Sequence, residues 1–171
     1  FKGIHNTIAN LITVSNEYSL ALMTSLTSSS NYLVVDSKAV ASRLVTYLKE
    51  NKLGRATFYP LDTMKPRNVY EEDLIKIKDN PSFIGILNNL VEYDPIYTNV
   101  IFNLIGNVLV VKDIDSANEI SKILNNKYKI VTLDGQVVNV GGSITGGDKI
   151  KTNDTIEARH NLEEYKNKLN I

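Results

Sequence analysis

The stretch Gly141-Gly142-Ser143-Ile144-Thr145-Gly146-Gly147 places one glycine pair on each side of a Ser-Ile-Thr and contains four of the nine glycines in the chain. Glycine is favoured where the backbone φ angle is positive, or where a neighbour comes too close for a Cβ atom. The sequence therefore predicts that something approaches this backbone closely. It could be a phosphate group, another part of the same chain, or a second chain.

The phosphate interpretation depends on the spacing of Gly142 and Gly147, which matches the G-x-x-x-x-G part of a P-loop. A P-loop continues with a lysine that reaches the phosphates and a Ser or Thr that binds Mg²⁺. This chain continues with Asp148, Lys149 and Ile150, so a carboxylate stands where the cation belongs and the metal-binding hydroxyl is missing. Internal packing and contact between chains remain the two favoured interpretations.

A predicted β-hairpin leads into the glycine stretch. Residues 128–133 are mostly apolar and β-branched, Asp134-Gly135 suits a two-residue turn, and residues 136–140 form the returning strand. A strand that ends in Gly-Gly has no large side chains to cover its edge. We therefore expect this edge to be open to pairing with another strand.

The rest of the chain alternates predicted strands and helices, and the pattern occurs twice. In the first copy the strands are 10–14, 32–35 and 55–59, and the helices are 16–26 and about 37–50. In the second copy strands 89–94 and 107–111 flank a helix over 95–104; Asn89 matches Asn10 and Leu109 matches Leu33, with a slightly shorter loop between them. The repeat predicts two related lobes, at residues 1–62 and 83–152, joined by a connecting segment at 63–82.

Composition restricts the possible functions. The 171 residues are 43% hydrophobic and 22% charged, carry no net charge and include no cysteine, which is typical of one globular domain or two small lobes. No apolar run is long enough to span a bilayer, so we expect a cytoplasmic protein without membrane contact. With zero net charge, any binding to nucleic acid needs a local basic patch.

Catalytic and metal-binding patterns are lacking in the sequence. Only His5 and His160 could act as bases at neutral pH, and the chain contains no Gly-x-Ser-x-Gly motif and no His-x-x-x-His pair. We therefore predict no catalytic residue, no metal site and no cofactor in this chain. His5 is expected to be a packed or capping residue.

The C-terminal residues predict the start of a coiled-coil arm at 153–171. Ala158, Leu162, Tyr165 and Leu169 are spaced four, three and four residues apart, which is the apolar stripe of a coiled coil. Fewer than two heptads are present, and a helix this short is marginal alone. The stripe is expected to continue in a longer coiled coil.

Several motifs, taken in order, resemble the hinge domain of SMC (structural maintenance of chromosomes) proteins. The resemblance covers nearly the whole chain and is closer to the bacterial, self-pairing members. The motifs are Gly3-Ile4-His5, the run from Leu53 to Leu61, Tyr93-Asp94-Pro95, the run from Gly106 to Val111, and Asp134-Gly135 followed by the glycine stretch.

The resemblance implies a two-lobed α/β domain with mixed sheets and flanking helices, at the end of a coiled coil remote from an ATPase head. Two hinges would join first lobe to second lobe, twice, into a ring-shaped homodimer. ATP and Mg²⁺ would bind in the heads, and accessory subunits would also bind elsewhere. The implied dimer-interface residues are Gly141, Gly142, Ser143, Thr145, Gly146 and Gly147.

The resemblance further implies non-specific DNA binding in a nucleoid-associated protein, through basic residues near the arm: Lys149, Lys151 and Arg159. Two positions depart from the family pattern, since Ser28 to Ser30 and Asn6 stand where glycines are common. The sequence thus predicts a homodimerisation hinge of a condensin-like ATPase. The alternative is a regulatory α/β domain that binds a nucleotide or another ligand at the glycine stretch.

Overall fold

A computed structural model describes residues 2–147 of the chain. The first half of this range forms a three-stranded mixed sheet with helices around it. Its elements are β1 (Ile4–Thr7), α1 (Ile8–Leu11), β2 (Thr13–Val14), α2 (Asn16–Leu26), a 3-10 helix (Thr27–Asn31), β3 (Leu33–Val35), α3 (Lys38–Glu50) and β4 (Phe58–Pro60). The strand order is β1-β3-β4, with β1 antiparallel and β4 parallel to β3.

The second half forms a five-stranded sheet in the order β10-β9-β8-β7-β5. Its elements are α4 (Glu71–Ile77), β5 (Phe83–Ile86), a 3-10 helix (Leu87–Asn89), β6 (Val91–Glu92), a 3-10 helix (Pro95–Tyr97), α5 (Thr98–Ile105), β7 (Val108–Val111), α6 (Ile114–Ile123), β8 (Lys129–Thr132), β9 (Val137–Val138) and β10 (Ile144–Thr145). Among the described strands of this sheet, only β7 and β8 are parallel neighbours.

The predicted internal repeat is confirmed by strand register. In the first half Ile4 pairs with Val35, and the register then shifts before Asn6. In the second half Phe83 pairs with Val111, and the register shifts before Gly85, which is the counterpart of Asn6 when Asn89 is matched with Asn10. Both copies therefore contain the same bulged antiparallel pair, followed by a parallel crossover through a helix.

The two halves share a hydrophobic core. Strands β2 and β6 pair antiparallel across the middle of the molecule. The largest buried cluster draws Leu22 and Val34 from the first half, and Ile101 and Val110 from the second. A second cluster lies under α6 and includes Ile77 of α4, so the helix in the predicted connecting segment packs on the second sheet. The lobe boundaries drawn from the sequence stay a prediction.

Three sequence-based expectations about local structure were wrong. The strand expected at 10–14 is helical as far as Leu11, because the side chain of Thr7 accepts a hydrogen bond from the backbone N–H of Asn10 and caps α1. The strand expected at 55–59 begins only at Phe58, and Arg55 is exposed. The strand expected at 136–140 is reduced to Val137–Val138, since the chain turns towards the glycine stretch.

Other elements agree with the sequence. Helices α2 and α3 have the predicted positions, and the acidic run at Glu71 opens α4. Among residues 2–147, no helix has the length and apolar character needed to cross a membrane. The predicted coiled-coil arm at 153–171 lies outside the described residues.

Candidate functional site

The glycine stretch lies at one edge of the five-stranded sheet, where the hairpin delivers it. The backbone N–H of Gln136 donates to Thr132 Oγ1 at 2.9 Å, and the N–H of Thr132 donates to the carbonyl of Gln136 at 2.9 Å. Thr132 Oγ1 also donates to the Asp134 carboxylate. These bonds close the Asp134-Gly135 turn and fix the direction in which β9 returns.

The first glycine pair is held by Asn126 and Asn139. The N–H of Gly141 donates to the carbonyl of Asn126, and the N–H of Gly142 to the carbonyl of Asn139, both at 2.9 Å. Gly141 and Gly142 have φ angles of +91° and +103°, which L side chains rarely adopt. A Cβ atom at Gly142 would touch the Asn126 side chain at 3.4 Å. Backbone conformation therefore requires glycine at both positions.

The second pair is clamped by Gln136. The N–H of Gly147 donates to Gln136 Oε1 at 2.8 Å, and Gln136 Nε2 donates back to the Gly147 carbonyl at 3.2 Å. A Cβ atom at Gly146 would lie 1.8 Å from Oε1 of the same glutamine. Gly146 is thus needed for packing inside the chain, whereas Gly147 has a φ of +128° and faces open space among the described residues.

Asn139 organises the residues between the two pairs. Its side-chain Nδ2 lies 3.2 Å from both the carbonyl oxygen and Oγ of Ser143, and 3.1 Å from Thr145 Oγ1. Its backbone N–H donates to the Ser143 carbonyl at 2.7 Å. The hydroxyl groups of Ser143 and Thr145, both predicted interface residues, therefore bond to Asn139 of the same chain.

These bonds weaken the phosphate interpretation. A P-loop binds phosphate because its backbone N–H groups are free to point at the anion. Here the N–H groups of Gly141, Gly142 and Gly147 already donate to Asn126, Asn139 and Gln136. A phosphate would have to displace all three bonds.

What the stretch offers outward is a sheet edge with two apolar side chains. Within the described residues β10 is the last strand of its sheet, so one side of its backbone is unpaired. Val140 and Ile144 are 63% and 56% exposed. The interface predicted from the sequence included neither residue. The position of Ile144 between two polar residues, on a strand expected at a sheet edge, could have indicated it.

Two residues at the start of the hairpin, Lys127 and Tyr128, bond to a buried carboxylate. Asp73 of α4 is 2% exposed and accepts hydrogen bonds from the Tyr128 hydroxyl at 2.6 Å and from Lys127 Nζ at 2.9 Å. The bonds from Tyr128 and Lys127 hold the pKa of Asp73 below its ordinary value. Burial, aided by the bond to Asp73, raises the pKa of Tyr128 to about 12. The Tyr128 hydroxyl in turn accepts the Tyr70 N–H at 3.0 Å.

Burial also acts on Lys129, the first residue of β8. Its Nζ donates to the carbonyl of Ser25 at 2.7 Å, which ties the end of α2 to the second sheet. Desolvation lowers the pKa of this ammonium group. The ammonium group bonds to a neutral carbonyl here, so it anchors β8 inside the chain.

His5 joins the two halves of the chain. Its Nδ1 lies 2.9 Å from the Tyr97 hydroxyl, and its Nε2 lies 2.6 Å from Asp36 Oδ1. The Tyr97 ring stands edge-on to the imidazole, with the two ring centres 5.3 Å apart. His5 is therefore a packed, hydrogen-bonded residue. Within residues 2–147, no group of three or more His, Cys, Asp or Glu side chains is placed to hold a metal ion.

Two of the three serines that depart from the family pattern turn inward, whereas Ser28 is exposed. Ser29 and Ser30 are buried in the 3-10 helix after α2, and their hydroxyls donate to the carbonyls of Leu26 and Thr27. Thr27 itself has a φ of +49°, an uncommon angle for a β-branched residue. The predicted DNA-binding residues Lys149, Lys151 and Arg159 lie outside the described residues.

The family model for the flexible hinge domain of SMC proteins matches residues 1–121. The chain is an SMC hinge domain. This hinge is a different part of SMC proteins from the ATPase head. The structure agrees: over 98% of this chain it superposes on the hinge from Geobacillus stearothermophilus, solved as an asymmetric dimer, with a TM-score of 0.89 and 42% identity, covering 67% of that chain.

Other SMC proteins are similar to this hinge. The Pyrococcus furiosus SMC hinge superposes with a TM-score of 0.72 at 30% identity, over 88% of this chain and 76% of that one. The chromosome partition protein Smc of Bacillus subtilis is 39% identical over 168 residues, which is 98% of this chain. The hinge spans 14% of the length of that relative.

Proposed function

We propose that this hinge joins two copies of its own chain, and that the glycine stretch lies at the contact. The observation that carries the proposal is the edge of β10, which is unpaired among the described residues and carries the exposed side chain of Ile144; the exposed Val140 lies just before the glycine stretch. An open, uncharged strand edge favours strand pairing with a partner. The dimer formed by the Geobacillus hinge supports the same function here.

The six predicted interface residues have different roles in this proposal. Gly141 and Gly147 lie where a Cβ atom would meet no described atom, so their surroundings leave room for a partner. Gly142 and Gly146 touch Asn126 and Gln136, so they shape the stretch from within. The backbone between the two glycine pairs would then form the contact edge. The hydroxyl groups of Ser143 and Thr145 bond to Asn139 and fix the position of that backbone.

In a longer SMC protein, the hinge would join two coiled-coil arms. ATP and Mg²⁺ would bind in separate head domains, and accessory subunits would bind away from the hinge. The name of the Bacillus relative, chromosome partition protein, supports a role in chromosome segregation. A protein with that role would have a cytoplasmic, nucleoid-associated location. The hinge itself would serve as a mechanical joint between the arms.

Non-specific DNA binding is a second part of the proposal. Lys149, Lys151 and Arg159 follow the glycine stretch in sequence, and phosphate contacts from lysine and arginine give affinity that falls steeply with salt. Fluorescence anisotropy with a labelled oligonucleotide tests this part. Replacing the three residues by alanine should weaken binding and flatten its salt dependence; unchanged binding would contradict it.

Co-purification of a tagged and an untagged copy tests the dimer. The tagged parent should retain the untagged parent but not an untagged Ile144→Glu variant, because a carboxylate would enter the contact at the exposed edge. Ile75→Glu is the matched control, since Ile75 is also exposed but belongs to α4 and not to the edge strand β10. Circular dichroism confirms that each variant folds. Failure of the parent to retain itself would overturn the proposal.

A further inference from the structure

The turn that follows α6 lies against the glycine stretch. Asn125 and Asn126 form this turn, and both have a φ of +56°, in the left-handed region that asparagine tolerates better than most residues. The N–H of Asn126 donates to the carbonyl of Ser121 at 2.8 Å, a bond that commonly closes the end of a helix. The two left-handed residues lead the chain out of α6 and place Asn126 beside the first glycine pair.

The side chain of Asn126 is held by the helix that precedes it. Its Oδ1 accepts a hydrogen bond from Ser121 Oγ at 2.8 Å, and Ser121 is only 3% exposed. Because a buried hydroxyl donates to the amide oxygen, the amide group of Asn126 has one preferred orientation. Asn126 is exposed, yet its orientation is set by α6 rather than by solvent.

The chain beyond the turn is anchored as well. Lys127 and Tyr128 bond to the buried carboxylate of Asp73, at 2.9 Å and 2.6 Å. The N–H of Lys127 donates to the carbonyl of Leu124 at 3.2 Å, which ties it back to the end of α6. Asn126 therefore lies between two fixed points, the end of α6 and the carboxylate of Asp73.

Asn126 contacts both members of the first glycine pair. Its backbone carbonyl accepts the Gly141 N–H at 2.9 Å. A Cβ atom on Gly142 would lie 3.4 Å from Cγ, Oδ1 and Nδ2 of Asn126 alike, so the amide group lies face-on against this glycine. One residue outside the hairpin thus fixes the start of the glycine stretch, by a hydrogen bond and by packing.

We infer that Asn126 is a positioning residue for self-association: it holds the glycine stretch in the conformation that offers the β10 edge to a second copy. This inference rests on the proposed function and names a residue outside the stretch on which that function depends. Two adjacent glycines give the backbone at Gly141 and Gly142 many accessible conformations. Asn126 selects one of them before a partner arrives, which removes the cost of ordering the stretch from the association step.

A positioning role predicts a particular kinetic effect. When only a fraction of the chains hold the stretch correctly, the apparent dissociation constant of the dimer rises in inverse proportion to that fraction. The loss falls on the association rate, because the dimer makes the same contacts once it has formed. Asn126→Ala should therefore slow association about tenfold and leave the dissociation rate within about threefold of the parent.

Asn125→Ala is the matched control. Asn125 is also exposed and has the same φ, but its N–H donates to the carbonyl of Lys122 at 3.2 Å, within the end of the helix. Alanine is strained at either position, so both variants should lower the urea midpoint, and only Asn126→Ala should slow association. Asn126→Gly adopts the positive φ without strain and lacks the amide, so it should fold like the parent and associate as slowly as Asn126→Ala. Asn126→Asp keeps a planar group and an acceptor for Ser121, and should restore association to within about threefold of the parent.

Two measurements give the rates. Subunit exchange between donor-labelled and acceptor-labelled dimers gives the dissociation rate, and light scattering over a dilution series gives the dissociation constant; the first divided by the second is the association rate. Equal slowing by Asn125→Ala would overturn the inference, because strain in the turn would then explain the loss. Faster dissociation of Asn126→Ala at an unchanged association rate would also overturn it, since Asn126 would then contact the partner directly.

Amide exchange separates this inference from the proposed function. In the Ile144→Glu background the Gly141 N–H, followed by NMR, should exchange about tenfold faster after Asn126→Ala than after Asn125→Ala. Equal exchange in the two variants would contradict the positioning role. A monomeric parent would overturn the proposed function and this role together, whereas a dimeric parent in which Asn126→Ala associates like Asn125→Ala would overturn the positioning role alone.

Discussion

Thr13 and Glu92 face each other in the antiparallel pair between β2 and β6, and each is the counterpart of the other in the repeat. The alignment that matches these two residues also matches β1 with β5. The approximate two-fold axis between the halves therefore passes between Thr13 and Glu92. The repeat folds about this axis into one body, with a core that both halves build.

A shared core predicts one cooperative unfolding transition. Urea unfolding followed by far-UV circular dichroism and by tyrosine fluorescence should give coincident curves. Ile101→Ala, in the core common to both halves, should destabilise the whole protein by about 2–5 kcal/mol. Ile75→Ala, at an exposed position, should change stability by less than about 0.5 kcal/mol. Two separate transitions would show that the lobes fold independently.

The buried carboxylate of Asp73 predicts that removing the Tyr128 hydroxyl lowers the stability of the protein strongly. Tyr128→Phe removes the donor that lies 2.6 Å from Asp73 and leaves the Tyr70 N–H without its acceptor. Buried polar groups left without partners cost about 1–3 kcal/mol each, so unfolding should become easier by at least that amount. Tyr70→Phe keeps the backbone N–H and serves as the matched control. Equal stability of the two variants would contradict this account.

The stability provided by the Tyr128–Asp73 pair should depend on pH in the alkaline range. The folded-state pKa of Tyr128 is raised to about 12 from an ordinary 10. Its contribution to stability is therefore complete below pH 10 and is lost as pH rises towards 12. Urea midpoints of the parent and Tyr128→Phe should converge over this window. Because Lys129 is present in both proteins, its titration cancels in the comparison; a gap that stays constant up to pH 12 would refute the assignment.

His5 and Tyr97 should be energetically coupled. The bond between His5 Nδ1 and the Tyr97 hydroxyl joins β1 to the second half of the chain. Tyr97→Phe and His5→Ala should each lower stability, and the double variant should lose about 0.5–1.5 kcal/mol less than their sum. Denaturation of the four proteins completes the cycle. Strict additivity would mean that the bond contributes nothing.

The clash at Gly146 can be relieved by a second change. Gly146→Ala places a methyl group 1.8 Å from the Gln136 Oε1 position, so it should break the clamp on Gly147 and weaken self-association severalfold. Adding Gln136→Ala should restore part of the self-association, because the side chain that clashes with the new methyl group at position 146 is then removed. If Gln136→Ala makes Gly146→Ala worse, the glutamine contributes more through its bonds than it obstructs.

The sequence predicted the elements that depend on neighbouring residues. The positions of α2 and α3 and the turn at Asp134-Gly135 follow from local spacing, capping and glycine placement. The repeat also predicted two related lobes, since the same order of elements implies the same register. The start of α1 was missed because one hydrogen bond to Thr7 overrode an apolar run that is typical of a strand.

Contacts between distant residues could not be predicted in this way. Nothing near Asp73 indicates that Tyr128 will bind it, and the roles of the glycines separate only when Gln136 and Asn126 are seen beside them.

The molar mass of the chain in solution tests the central claim most directly. Light scattering at micromolar concentration should give twice the chain mass of 19.1 kDa for the parent, and the single-chain mass for Ile144→Glu with unchanged circular dichroism. A parent that remains at 19.1 kDa across the concentration range would contradict the account.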